Sequence, residues 1–179
     1  MRTQSRRRLW FYALASVVVL ADQGTKALIR YCFTPEMSWP LWPGVFHLTY
    51  VRNRGAAFGL LKHSELAQWL FVAVAGAAIV GFFIYRRQIL SGGNLLRVAF
   101  ALLLGGTVGN LLDRLRFGYV VDFLDFRIWP VFNLADIGIT GGVVLFMAHL
   151  IYLEIRDLRM ARPREAVADD TAENLKSEI

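Results

Sequence analysis

The sequence predicts an all-α polytopic membrane protein, with four transmembrane helices and a small extracytoplasmic β-sheet built from the two outer loops. Of its 179 residues, 56% are apolar, and the mean hydropathy is +0.43, both above the values of an ordinary soluble domain. Four apolar segments are long enough to cross about 30 Å of hydrocarbon at roughly 1.5 Å per helical residue. Short β-branched and aromatic runs lie in the loops between them.

The four spans are predicted at about 9–29, 66–85, 98–115 and 134–153. The first has an alternative interpretation, because its arginine-rich start and the apolar run Leu9–Ala21 are also typical of a cleavable signal peptide. The apolar character resumes at Ala27–Ile29, and Asp22 and Lys26 fit inside a helix. We therefore favour a retained span.

Basic residues predict the orientation. Twelve of the twenty Lys and Arg residues lie at the N-terminus, between the second and third spans, or in the C-terminal tail. The positive-inside rule places these regions in the cytoplasm, so both termini are expected to face inward. The net charge of +6 thus indicates contact with anionic lipids, and no basic face remains for nucleic acid.

The two outer loops differ in length. In the first, Val45–Val51 is predicted as a strand, Arg52–Gly55 as a turn and Ala56–Leu61 as a returning strand. In the second, Phe117–Phe123 is also β-like. Residues 1–155 are expected to form one membrane-embedded domain, and the charged stretch 156–179 a solvated or disordered cytoplasmic tail.

Five aspartates precede that tail, and the predicted topology places all of them near the outer ends of the spans: Asp22, Asp113, Asp122, Asp125 and Asp136. A carboxylate in or beside hydrocarbon is costly and indicates a functional site. A proton-coupled carrier is the alternative function, but a carrier needs its charges near the midplane with access from both sides. The clustering at one face favours a reaction centre.

Two of the three aspartates in the predicted spans have neighbouring cations. Asp22 and Lys26 lie four residues apart on one helix face, which predicts an ion pair that keeps the carboxylate ionised; Lys26 could still bind a substrate headgroup or carbonyl. Asp113 adjoins Arg114 and shares a face with Asn110, so a structural or supporting role is expected for it.

The remaining aspartates lie close together in sequence. Asn133 is a good helix N-cap, which puts Asp136 at the third helical position, where the helix dipole favours a carboxylate. Asp122 lies between apolar neighbours and should point away from them into a cavity. Asp125 lies near Arg127 and is expected to be a surface charge.

Excluding the aspartates with cationic neighbours leaves Asp122 and Asp136 as the candidate catalytic pair. Two carboxylates in one site share a proton, so one can activate water while the other protonates a leaving nitrogen. The histidines are scattered and no H-E-x-x-H motif occurs, so neither a metal nor a cofactor is expected.

Taken together, these segments resemble the lipoprotein signal peptidase (signal peptidase II) family, the bacterial inner-membrane aspartyl proteases. The resemblance implies the bacterial cytoplasmic (inner) membrane as the location. Five motifs carry the resemblance, in the family's order: Asp22–Lys26, Tyr50–Gly59, Gly105–Arg114, Val120–Phe123 and Phe132–Asp136. The likeness covers about residues 9 to 155.

The resemblance implies an enzyme that removes the signal peptide from diacylglyceryl-modified prolipoproteins, cutting just before the lipidated cysteine. It matches Asp122 and Asp136 to the catalytic pair. It also matches supporting positions and the first-helix motif to Asn53, Asn110, Asp113, Arg114, Asn133, Asp22 and Lys26. We expect Arg54, or the sheet carrying it, to close over the bound peptide. Lipidated prolipoproteins and membrane lipids are the expected partners of a monomeric enzyme.

Overall fold

The computed structural model describes residues 2–55 and 65–177, with side chains described for residues 4–55, 66 and 68–159. Within these ranges the chain forms four α-helices and three β-strands. In chain order they are α1 (Arg2–Cys32), β1 (Ser38–Trp42), β2 (Phe46–Asn53), α2 (Glu65–Ser91), α3 (Asn94–Phe117), β3 (Val120–Asp125) and α4 (Leu134–Ser177).

All four helices are long and apolar enough to cross a membrane. The qualifying segments are Gln4–Cys32, Gln68–Ser91, Asn94–Phe117 and Leu134–Arg159. Each contains most or all of the corresponding predicted span and is longer, because polar residues flanking the apolar run continue the helix. Helix α4 extends to Ser177, so the described part of the predicted tail is helical rather than disordered. Its Ala, Arg, Glu and Leu residues favour that conformation.

Helix α3 packs against the other three helices, and glycines on α3 allow close approach. A Cβ atom at Gly105 would lie 2.8 Å from the carbonyl oxygen of Ala15, and one at Gly106 would lie 2.9 Å from the Ile139 side chain. These distances leave no room for a larger residue, and small residues of this kind let membrane helices approach closely.

The three strands form one antiparallel sheet in the order β1-β2-β3. It joins the loop between α1 and α2 to the loop between α3 and α4, as predicted. Strand β2 continues through Asn53, so half of the predicted Arg52–Gly55 turn is strand. The sequence reading missed β1, where Pro40 weakens the strand signal; proline is tolerated there because β1 is an edge strand. The predicted strand Ala56–Leu61 lies outside the described residues.

One face of the sheet packs against the end of α1. Ile29, Tyr50, Val121 and Phe123 form a buried apolar cluster. Because side chains alternate along a strand, burying Val121 and Phe123 turns Asp122 to the other face. We call this part of the molecule, where α1 ends and α4 begins, the sheet end of the bundle.

Candidate active site

Asp122 and Asp136 come together at the sheet end through Asn133. The side-chain amide of Asn133 donates to Asp122 Oδ1 at 2.6 Å, and its backbone N–H donates to Asp136 Oδ2 at 3.1 Å. In return, Asn133 Oδ1 accepts the backbone N–H of Asp136 at 3.0 Å. This reciprocal cap begins α4, as the sequence predicts. One fully buried asparagine thus contacts both carboxylates.

Two further asparagines complete the binding of these carboxylates. Asn53, at the end of β2, donates from Nδ2 to Asp122 Oδ2 at 2.8 Å. Asn110, on α3, donates from Nδ2 to Asp136 Oδ1 at 2.7 Å. Each carboxylate oxygen of the pair therefore accepts a hydrogen bond from an uncharged group. Among the described residues, neither Asp122 nor Asp136 forms a salt bridge.

Lys26 binds the other two buried aspartates. Its Nζ lies 2.9 Å from Asp22 Oδ2 and 3.1 Å from Asp113 Oδ2, and it donates to Asn110 Oδ1 at 2.9 Å. Lys26, Asp22 and Asp113 are fully buried. The predicted Asp22–Lys26 ion pair forms, but the cation beside Asp113 is Lys26 rather than Arg114. Lys26 is also not available for a substrate headgroup, because its three partners are protein groups and it has no exposed surface.

The lysine cluster also fixes the backbone around the carboxylate pair. Asp22 Oδ1 accepts the backbone N–H of Ala135 at 3.0 Å, next to Asp136. Asp113 Oδ2 accepts the backbone N–H of Val121 at 3.0 Å, next to Asp122. Asp22 therefore holds the backbone next to Asp136, and Asp113 holds the backbone next to Asp122.

Gln23 was not singled out by the sequence, yet it connects α1 to α3. Its Nε2 lies 3.2 Å from Asp22 Oδ2, 3.1 Å from the Gly109 carbonyl oxygen and 3.0 Å from Asp113 Oδ1. A Cβ atom at Gly109 would lie 2.5 Å from Asp22 Oδ2, so glycine is needed for this approach. The position of Gln23 directly after Asp22 was the signal in the sequence that could have identified it.

The two predicted arginines lie outside this hydrogen-bonded network. The Arg114 guanidinium lies over the Phe71 ring, with Cζ 4.9 Å from the ring centroid. Its charge acts on Asp136, Asp122 and Asp113 without direct contact. Arg54 is exposed and follows the last residue of β2. The expected closure of Arg54 over a peptide stays a prediction.

Asp125 is buried rather than a surface charge, with 4% of its surface exposed. It accepts hydrogen bonds from Thr49 at 2.8 Å and from the backbone of Arg127 at 2.8 Å, and it pairs with the Arg127 guanidinium at 2.9 Å. Burial alone raises the pKa of Asp125, but these contacts outweigh it and lower the pKa below the ordinary value. Asp125 is therefore a structural part of the sheet.

Asp122 has the opposite electrostatic character. It is 2% exposed, and burial, followed by the negative charge of Asp136, raises the pKa of Asp122 to about 7, against the amides of Asn53 and Asn133. A carboxyl group with this pKa can hold or release a proton near neutral pH, as acid–base chemistry requires.

Asp136 is the more accessible partner, because it lines a cavity of about 420 Å³. The other lining residues are mostly apolar: Trp129, Phe132, Ile137, Thr140 and Gly141. An apolar peptide segment lying in this cavity would therefore contact Asp136, the accessible carboxylate of the pair, from the side of α4.

Comparisons with known proteins identify a matching family and several relatives. The model of a family described as signal peptidase (SPase) II matches residues 14–152. A lipoprotein signal peptidase from Moorella thermoacetica is 49% identical over 141 residues, covering 79% of this chain and 92% of that protein. One from Halothermothrix orenii is 44% identical over 139 residues, covering 78% and 93%.

Two solved structures described as bacterial membrane enzymes have the same fold. The first has a TM-score of 0.67 and 32% identity, covering 79% of this chain and 87% of the other. The second has a TM-score of 0.64 and 33% identity, covering 78% and 91%.

Proposed function

The chain belongs to the signal peptidase II family and is a protease that cleaves lipoprotein signal peptides, and on this premise we propose that Asp122 and Asp136 are its catalytic pair. The observation that carries the proposal is the difference in binding partners. Asp22 and Asp113 share an ion pair with Lys26, whereas Asp122 and Asp136 are bound by amides. Hydrogen bonds from amides orient a carboxylate and leave its proton exchangeable. Nothing in the comparisons favours the alternative of a proton-coupled carrier.

In the proposed reaction the pair shares one proton. The ionised carboxylate takes a proton from water as the water oxygen attacks the scissile carbonyl carbon. The protonated carboxyl group then donates its proton to the leaving nitrogen as the carbon–nitrogen bond breaks. The pair again holds one proton, but this proton came from water and lies on the carboxyl group that acted as the base. Its transfer to the other carboxyl group resets the site.

We assign the resting proton to Asp122. Its burial and the charge of Asp136 favour the neutral form. Asp136, at the third position of α4, lies where the helix dipole favours the ionised form. Asn53, Asn110 and Asn133 hold both groups in place and offer donors to developing negative charge.

The substrates we propose are diacylglyceryl-modified prolipoproteins, cut just before the lipidated cysteine. The apolar cavity beside Asp136 suits the signal-peptide segment, and the exposed apolar side chains of the helices suit lipid, in which the acyl chains remain. The distribution of Lys and Arg supports an inner-membrane location with both termini in the cytoplasm and the catalytic pair near the extracytoplasmic face.

Cleavage of a prolipoprotein by the purified protein in detergent tests the proposal. The substrate is offered with and without its diacylglyceryl group, with and without EDTA, to the wild type, Asp122→Asn and Asp136→Asn. Asp125→Asn is the matched control, because Asp125 lies in the same strand but has Thr49 and Arg127 as partners. We expect cleavage of the lipidated precursor only, unaffected by EDTA, and abolished by the first two substitutions.

Cleavage that survived both Asp122→Asn and Asp136→Asn would show that the catalytic pair is wrongly assigned. Equal cleavage of the two precursors would contradict the proposed dependence on the lipid. Loss of activity in Asp125→Asn, with the protein still folded, would mean that the sheet aspartate also takes part.

A further inference from the structure

The opposite end of the bundle carries a dense group of arginines. Helix α1 begins there and α2 ends there, and a cavity of about 740 Å³ lies between them. Its size falls within the range of about 300–1,000 Å³ typical of ligand sites. Its lining includes four arginines, two from each helix, together with polar and apolar neighbours: Arg7, Arg8, Arg86, Arg87, Tyr12 and Leu90. We call this space the arginine cavity.

The arginine cavity is a feature of the packing of the two helices. One turn inward, the rings of Phe11 and Phe82 stack with centroids 5.2 Å apart and an interplanar angle of 3°. Both residues belong to a buried apolar cluster that also includes residues of α3. This contact holds α1 and α2 together one turn from the two arginine pairs.

The four arginines of the cavity form no salt bridge with the described side chains. The salt bridges in the described part of the molecule involve Lys26 and Arg127 at the sheet end and Arg156 on α4. A fifth arginine, Arg97, is 4% exposed and donates to the carbonyl oxygens of Leu90 and Gly92 at 3.2 and 2.7 Å. Its charge is opposed by that of Arg7. An anion in the cavity would relieve this repulsion.

We propose that the arginine cavity binds the phosphate group of an anionic phospholipid. Guanidinium groups bind phosphate through two parallel hydrogen bonds and lose little entropy in doing so. Basic pockets between membrane helices are suited to anionic headgroups. Tyr12 and Leu90 give the cavity an apolar wall, and Phe83 and Ile84 beside it are exposed on the membrane-facing surface of α2. A lipid fits both halves of this surface, whereas a free phosphate fits only the arginines. The site rests on none of the peptidase chemistry.

Lipid binding by the full-length protein in detergent tests the proposal. Native mass spectrometry would follow titrations with phosphatidylglycerol and with phosphatidylcholine of the same acyl chains, each repeated with inorganic phosphate as competitor. We expect saturable binding of phosphatidylglycerol at one site, tighter than that of phosphatidylcholine. Equal affinity for the two lipids would overturn the proposal. Displacement by inorganic phosphate at the affinity of phosphatidylglycerol would assign the site to a free anion instead.

Two double variants separate a built site from general attraction. Arg86→Gln with Arg87→Gln removes two charges from the cavity and should weaken phosphatidylglycerol binding about 30-fold. Arg156→Gln with Arg159→Gln removes two exposed charges from α4, outside the cavity, and should leave binding unchanged. Equal weakening in both would mean diffuse attraction and would overturn the proposal.

A third variant guards against misfolding or inverted insertion. Arg86→Lys with Arg87→Lys keeps the charge that sets topology but removes the paired donors of each guanidinium. We expect it to keep the unfolding temperature of the wild type and to bind phosphatidylglycerol several-fold more weakly. Wild-type affinity in this variant would contradict a geometric phosphate site.

Discussion

Two pairs of aspartates lie within one hydrogen-bonded network at the sheet end, and they differ in what binds them. Asp22 and Asp113, the lysine-bound pair, share the Lys26 ammonium group and are fully buried. Asp122 and Asp136, the amide-bound pair, accept hydrogen bonds from asparagines. Asn110 connects the pairs, because its Oδ1 accepts from Lys26 while its Nδ2 donates to Asp136.

The difference in binding partners shows how neighbouring aspartates can have either a structural or a catalytic role. A cation in direct contact holds a carboxylate ionised and makes it a structural anchor. An amide orients the carboxylate without fixing its charge, so burial and the second carboxylate can keep a proton on the pair. We therefore expect substitutions in the lysine-bound pair to affect mainly folding, and substitutions in the amide-bound pair to affect mainly catalysis.

The largest expected effect is on the cleavage rate, and it appears when one aspartate of each pair is replaced by asparagine. Asp122→Asn should lower the single-turnover cleavage rate about 10³-fold or more, because an amide cannot exchange the proton. Its free energy of unfolding should fall less than that of Asp113→Asn, because Asp122 has no buried cation that would lose a partner and its neutral form is already favoured by burial. Asp113→Asn should instead mainly lower the free energy of unfolding, because its amide would turn a second donor toward Lys26 or the Val121 N–H.

Rate and stability must be measured on the same preparations for this comparison to hold. Chemical unfolding in detergent gives the stability, and cleavage is expressed per folded molecule. If Asp122→Asn were as destabilised as Asp113→Asn, the functional division between the two pairs would be wrong.

The next effect tests the lysine directly. Lys26→Met leaves Asp22 and Asp113 buried without their cation, which should lower the free energy of unfolding by about 3–5 kcal/mol. Arg116→Met is the matched control, because this exposed arginine also contacts the network, donating to Gln23 Oε1 at 3.3 Å. It should cost less than about 1 kcal/mol.

A triple variant distinguishes lost charge balance from lost packing. Adding Asp22→Asn and Asp113→Asn to Lys26→Met removes every buried charge of the cluster, so part of the lost stability should return. If the triple variant were less stable than Lys26→Met, hydrogen bonds rather than charge would be the main contribution of these aspartates.

Much of this architecture follows from local sequence. The apolar runs predict the helices, the β-branched run predicts β2, and the Asn133–Asp136 spacing predicts the helix cap. Strand β1 escaped prediction because Pro40 is typical of turns and Trp42 is typical of a membrane interface. Only the pairing with β2 makes this segment a strand. The length of α4 escaped because charge and low hydropathy in its last part are equally typical of disorder.

The site is less visible in sequence, because its specificity lies in contacts between distant residues. Neighbouring cations correctly set Asp22 apart, but Arg114 beside Asp113 is not its ion-pair partner, and the exposed-looking Asp125 is buried under Thr49 and Arg127. Sequence separations of 84 for Lys26–Asn110 and 69 for Asn53–Asp122 carry no local signal. Only the packing of α1, α3 and the sheet reveals which carboxylates share a cation.

A smaller effect should appear in the pH dependence of cleavage. Because burial and the charge of Asp136 raise the pKa of Asp122 to about 7, the rate should fall as pH rises past about 7 and the shared proton is lost. Asn53 lowers this pKa by donating to the ionised form. Asn53→Leu should therefore raise the pKa of Asp122 and move the alkaline limb of the pH–rate profile to higher pH. A shift of that limb to lower pH would contradict the assigned direction of the Asn53 hydrogen bond.

The same shift has a consequence for stability. The folded protein holds a proton on Asp122 between its ordinary pKa of about 4 and the raised value, so stability should fall as pH rises through that window. Asp122→Asn should remove this slope.

The smallest expected effect concerns Asp125, which extends the comparison to an aspartate with an exposed cation. The Arg127 guanidinium lies 2.9 Å from Asp125 and is half exposed, so solvent screens the pair and its contribution should be about 0–1 kcal/mol. Arg127→Gln removes the charge while keeping the Cβ atom, which matters because Arg127 has a φ of 66°. We expect the free energy of unfolding at neutral pH to fall by less than about 1 kcal/mol, with cleavage unchanged.

Because Arg127 helps to hold the pKa of Asp125 below its ordinary value, the difference in stability between Arg127→Gln and wild type should vanish as pH falls below about 4 and Asp125 takes up a proton. A loss as large as that of Lys26→Met would mean that burial of the carboxylate, rather than burial of its cation, determines how much an ion pair contributes in this protein.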